Sequence, residues 1–140
     1  TVMKLLKIFF ILLLLTNNLH ADNNYFNDGL KLYKNKKYEK AKFKFEQDIV
    51  FNPKNEKSYL YLSKIFNYQK KIEFEEQNLN TVLLINPKNE EATFNLAKLK
   101  LEKSDFKSSK KLIEKLLSFC KNYCQKSESL KTEIKKSLKK

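Results

Sequence analysis

The chain has 140 residues, 29 of them Lys and none Arg, against 16 acidic residues, for a formal charge of +13. With one His, one Gly and two Cys, it lacks the side chains of the common catalytic and metal-binding classes. His20 lies in the N-terminal segment that reads as a signal peptide, Gly29 alone makes no phosphate-cradling loop, and no Ser stands paired with a base. The length fits a single domain, and the reading is non-enzymatic.

A basic surface attracts anionic membrane headgroups, acidic polymers or acidic partners, and a solvated Lys-rich face also keeps a protein soluble. Nucleic acid is disfavoured, because no Arg is present for bidentate base contacts and the N-terminus reads as an export signal. Met3 reads as the start, followed by Lys4 and Lys7 and an apolar stretch to Leu15. Thr16 to Ala21 is polar and ends on a small residue, the layout of a secretory signal peptide over 1–21 with cleavage after Ala21. The rival is a retained anchor, but the unbroken apolar run from Ile8 to Leu15 is far short of the ~20 residues that span a bilayer. A processed lipoprotein would need a Cys at its N-terminus, and the first is Cys120. Cleavage leaves residues 22–140 with a formal charge of +11, and places the protein in the periplasm or cell envelope of a bacterium.

The next feature is a phrase written twice. Asn52-Pro53-Lys54-Asn55-Glu56 recurs as Asn86-Pro87-Lys88-Asn89-Glu90, 34 residues on. Pro disfavours helix at the residue before it and has no N–H to donate, so a helix stops there. Asn55 and Asn89 are then N-caps of the helices that follow. This register predicts first helices near 23–35, 57–69 and 91–103 and second helices near 38–51, 72–85 and 106–119. Turns fall at Lys36-Lys37, Lys70-Lys71 and Ser104-Asp105.

Several columns keep the same spacing. Gly29, Ser63 and Ala97 are small where paired helices would cross closely, and Tyr38, Ile72 and Phe106 open each second helix. Phe45, Leu79 and Ile113 follow at mid-helix, then Phe51, Ile85 and Phe119 near its end. This pattern resembles the tetratricopeptide repeat, a stack of helical hairpins that cannot bury their apolar faces singly. The resemblance implies an all-α, right-handed superhelix of repeats at 22–55, 56–89 and 90–123 with a basic capping helix at 124–140. Departures are Glu75 and Ser109 in the column that holds Ala41, Lys100 in place of an aromatic, and Cys120-Lys121 in place of Asn-Pro. Asp28 and Asp48 stand where other repeats carry apolar residues and are expected to face solvent, since a terminal repeat lacks one neighbour.

Leu130, Ile134 and Leu138 form one narrow apolar stripe, fitting a cap over the open end of the array; a basic amphipathic helix on a membrane surface is the alternative. Cys120 and Cys124 have neither redox nor zinc spacing, and export favours a disulfide between them; the alternative is a pair of free thiols packed as small apolar residues.

In the tetratricopeptide family the first helices line a concave groove that holds a partner polypeptide. Carried onto this chain, the groove columns are Asn23, Phe26, Asn27, Leu30 and Tyr33 in the first repeat. The second repeat gives Lys57, Leu60, Tyr61, Lys64, Asn67 and Tyr68, and the third gives Phe94, Asn95, Lys98 and Leu101. The family's Lys/Asn clamp for a C-terminal carboxylate is broken here by Phe26, Leu30 and Tyr61. What remains suits a peptide with apolar anchors and some acidic character. The expected function is a protein-binding adaptor without cofactor or metal; the alternative is a structural protein held to anionic lipid or wall polymer by its Lys. Three repeats are near the minimum for a stable array, so homodimerisation through an exposed end stays open.

Overall fold

The computed structural model describes residues 24–139; the expected signal segment, and Asn23 with it, lie outside them. The described residues form seven α-helices and no strand. These are α1 Tyr25–Lys34, α2 Tyr38–Phe51, α3 Glu56–Tyr68, α4 Ile72–Ile85, α5 Glu90–Glu102, α6 Phe106–Leu117 and α7 Cys124–Ser137. Successive helices pack on one another, so the chain is three hairpins in a row with α7 laid on α6 and touching α5.

Within each hairpin the two helices are joined by a tight turn around a residue of positive φ: Lys36 at 58°, Lys70 at 59° and Ser104 at 60°. Each turn closes with two backbone bonds. Lys36 N–H donates to Tyr33 O at 2.9 Å and Lys37 N–H to Leu32 O at 3.0 Å, and the same pair recurs after α3 and α5. This is the Schellman arrangement that satisfies the last carbonyls of a helix. None of the three residues is Gly, so the left-handed conformation is held by the hairpin rather than by local preference.

Between hairpins, a carboxylate gathers the turn. Asp48 accepts from Asn52 Nδ2 at 3.1 Å, Asn55 Nδ2 at 2.7 Å and Ser58 Oγ at 2.5 Å. One repeat on, Glu56 accepts from Asn86 Nδ2 at 2.9 Å and Asn89 Nδ2 at 3.2 Å. In the third repeat, where Asn-Pro is missing, Glu90 accepts three backbone N–H groups, from Lys121, Asn122 and Tyr123, each at 2.9 Å. The repeated phrase is therefore a structural fastening. Asn55 caps α3 through Lys57 N–H, Asn89 caps α5 through Ala92 N–H, and Asp105 caps α6 through Ser108 N–H. Asp48 departs from the solvent-facing position expected of it. It is buried, because two Asn side chains and a Ser hydroxyl supply the donors a buried carboxylate needs. Asp28 does face solvent.

The small column lies where α1, α3 and α5 are crossed by their partners: Gly29, Ser63 and Ala97 are all buried. Opposite them Phe45, Leu79 and Ile113 are 0 % exposed. Three apolar layers result. One centres on Phe45, Leu62 and Ile65, the next on Leu60, Leu79 and Leu96, and the last on Ile113, Leu116, Leu130 and Ile134. The third layer shows α7 serving as the cap, since Leu130 and Ile134 are buried in it, although Leu138 of the same stripe is 53 % exposed. Lys100, standing in for an aromatic, reaches Glu76 at 2.5 Å and so ties α5 to α4 by charge.

After α6 the chain leaves helical geometry at Ser118, and the six residues 118–123 bring Cys120 to Cys124 with Cα atoms 5.4 Å apart. The two are joined in a disulfide that fastens the start of α7 to the end of the third hairpin.

Candidate functional site

The first helices of the hairpins carry a cavity of about 570 Å³ on their shared side. Six residues of the sequence-derived groove line it: Tyr33, Lys64, Asn67, Tyr68, Asn95 and Lys98. Tyr38, Ser63, Lys70, Glu75, Glu91, Leu99 and Glu102 complete the wall. Three tyrosines make its aromatic side, with ring centroids 5.3 Å apart for Tyr33 and Tyr38 and 4.6 Å for Tyr38 and Tyr68. Tyr68 is 67 % exposed, so much of its ring is free to meet another molecule.

Of the other nine groove residues, Asn23 lies outside the described residues, and the eight that are described, Lys57 and Leu101 among them, do not line the cavity. Leu60 is a correction: it is buried in the layer with Leu79, Val82 and Leu96, because its position on α3 faces α4 and α5 rather than the groove. Phe26 and Tyr61 are half-buried in the seam between the first two hairpins. There Tyr61 stacks on Phe45 at 5.2 Å, meets Tyr33 at 5.0 Å and lies 6.1 Å from Phe26. They support the groove from below. Phe94 packs with Tyr123 at 5.5 Å at the far end of the array, beside the cap. Asn27 is exposed and Leu30 half-buried, both away from the cavity.

Four of the six charged residues lining the cavity stand in pairs, and Lys70 and Glu75 stand outside them. Lys64 Nζ is 2.7 Å from Glu91 and 4.6 Å above the Tyr61 ring, and Lys98 is 3.9 Å from Glu102. Lys64 and Lys98, expected in a groove suited to a peptide of some acidic character, each stand beside a carboxylate of their own array. Glu75 is the one acid of the wall without a paired ammonium. It is 6 % exposed, and its two carboxylate oxygens accept from Asn67 Nδ2, both at 3.1 Å. Burial pushes its carboxyl above the ordinary value, with the Asn67 amide working the other way. Burial likewise raises the Tyr33 phenol, helped by Tyr38, Tyr61 and Glu91.

Sequence reasoning missed Tyr38, Glu75, Glu91 and Glu102 as wall residues. Tyr38 was placed in the core column, and it does pack there on one side while its other side faces the cavity. Glu75 carried a legible signal, a carboxylate in the column that holds Ala41 and Ser109, both 0 % exposed. Glu91 and Glu102 had none, since each reads as an ordinary solvent-facing residue of a helix. Among the described residues no group of three or more His, Cys, Asp or Glu is placed to hold a metal ion, and no helix is long and apolar enough to cross a membrane.

Three helical hairpins stacked in register, a capping helix and a concave wall of first helices define the tetratricopeptide-repeat fold. Solved structures share it. The Yersinia enterocolitica type III secretion chaperone SycD, in complex with a peptide of the translocator YopD, matches with a TM-score of 0.76 at 16% identity, over 85% of this chain and 97% of its own. The Arabidopsis OM64 TPR domain matches at 0.74 and 19%, over 86% and 98%. The TPR2B domain of yeast Sti1, in a pHsp70 complex, matches at 0.72 and 9%, over 81% and 94%. No protein-family model and no curated protein matches the sequence.

Proposed function

We propose that this protein is a non-enzymatic adaptor that holds a peptide segment of a partner protein in the concave groove, and that it works in the cell envelope. The observation that carries the reading is the cavity of about 570 Å³ walled by Tyr33, Tyr38 and Tyr68, with the amides of Asn67 and Asn95 among them. Aromatic rings beside hydrogen-bonding side chains suit a peptide, offering apolar contact area together with groups that fix backbone register. The SycD and Sti1 structures, each described as a complex with a peptide of YopD or with pHsp70, lend the fold-level support. Export is supported by the N-terminal pattern from Lys4 to Ala21 and by the Cys120–Cys124 disulfide, which persists in oxidising compartments.

The test is a pull-down from envelope extract at low and high salt, beside a Tyr33→Ala/Tyr68→Ala variant shown by circular dichroism to be folded. A discrete protein kept at high salt by the parent and lost by the variant is the expected result. Capture of anionic lipid or wall polymer alone, eluted by salt from both proteins, would replace the adaptor with electrostatic surface binding.

A further inference from the structure

Glu75 is a costly residue to place where it stands. In the same column of the neighbouring hairpins are Ala41 and Ser109, both 0 % exposed, and Ser109 spends its hydroxyl on Ala97 O at 2.7 Å. A carboxylate taken out of water loses hydration that only charge or several hydrogen bonds replace. Asp48, the other deeply buried acid, has three donors. Glu75 has the single amide of Asn67, and among the described residues no ammonium lies within the 4.0 Å of an ion pair; Lys70 and Lys98, in the same cavity wall, act on it only from farther off. The cavity that Glu75 lines is also lined by Tyr33, Tyr38 and Tyr68. A carboxylate and aromatic rings lining one cavity are the two features that together bind an organic cation.

We infer that Glu75 and the three tyrosines form a subsite for a Lys or Arg side chain of the bound peptide. The inference rests on the groove reading proposed above and names the anchor which that groove selects. The incoming cation supplies the direct ion pair that Glu75 lacks, while its methylene stem lies against the tyrosine rings. Acidic anchors are rejected at the same point by like charge.

The experiment is selection of random displayed peptides on the immobilised full chain, followed by calorimetric titration of the selected peptides. The expected result is one position shared by the selected peptides and occupied by Lys or Arg. Changing that residue to norleucine should weaken binding to the parent by about tenfold or more, and change binding to Glu75→Gln far less, since the variant has lost the partner charge. The peptide-side change reads the subsite on the parent alone, so the test stands even if Glu75→Gln folds poorly. Peptides that lose binding to Tyr33→Ala/Tyr68→Ala but share no basic position would overturn the cation subsite and leave the groove reading in place. Failure to select any peptide, or selection of peptides that bind the tyrosine variant as well as the parent, would overturn both.

Discussion

An ideal Cβ built on Gly29 would stand 2.7 Å from Cε1 of Phe45, a ring that is itself 0 % exposed. Ala at this position gains roughly 1 kcal/mol of helix preference over Gly, but forcing a buried ring aside costs about 1–3 kcal/mol. Gly29→Ala should therefore lower stability by roughly 1 kcal/mol despite its better propensity, and a Phe45→Leu partner substitution should relieve part of the loss; denaturant titration of the single and double variants checks both. Glu75 gives a second prediction. Its folded carboxyl sits above the ordinary value of 4.5, mainly through burial; Glu102 adds to the rise, while Asn67, Lys70 and Lys98 oppose it. Between 4.5 and the folded value the folded chain keeps a proton the unfolded chain has released, so stability falls as pH rises through that window. Thermal melts across pH should show this fall in the parent and a flatter profile in Glu75→Gln, which keeps an acceptor for Asn67 and carries no charge.

The hairpins were largely legible before any coordinates, and the reason is mechanical. Pro53 and Pro87 end helices wherever they stand, Asn55 and Asn89 cap the next ones, and a 34-residue period then fixes every crossing point. What the sequence hid were features without a residue signature. The three left-handed turn residues are Lys36, Lys70 and Ser104, where preference alone would ask for Gly. Asp48 looked like a solvent-facing acid because its donors Asn52, Asn55 and Ser58 follow it in the chain and meet it only when α2 and α3 fold together. Several groove columns also failed to reach the cavity, since Leu60, Phe26, Tyr61 and Phe94 were drawn into the layers between hairpins. Two expectations belong to these elements. Lys70→Gly should raise stability by roughly 0.5–1 kcal/mol by removing left-handed strain. Asp48→Ala should cost roughly 2–3 kcal/mol, because buried Ser58, half-buried Asn55 and exposed Asn52 lose a charged acceptor at once. Chemical denaturation measures either change.

The array is held at one end by α7, and the disulfide and Glu90 both act at that junction. Closing so short a loop contributes roughly 2 kcal/mol, and in a repeat protein the benefit stays close to where it is applied. Cys120→Ser/Cys124→Ser should thus speed amide exchange in α7 first, with α1 to α4 little changed; hydrogen exchange by mass spectrometry resolves the difference. The groove lies on the other helices, so peptide binding should survive the loss of the bridge. The central claim is that a partner segment lies along α1, α3 and α5. Nuclear magnetic resonance of the labelled protein, titrated with the captured or selected peptide, tests it most directly. The account predicts shift changes in the ring signals of Tyr33, Tyr38 and Tyr68 and in the amides of α3 and α5 around Asn67 and Asn95, persisting at high salt. Changes confined to α7 and the outer lysines, vanishing as salt is added, would contradict it.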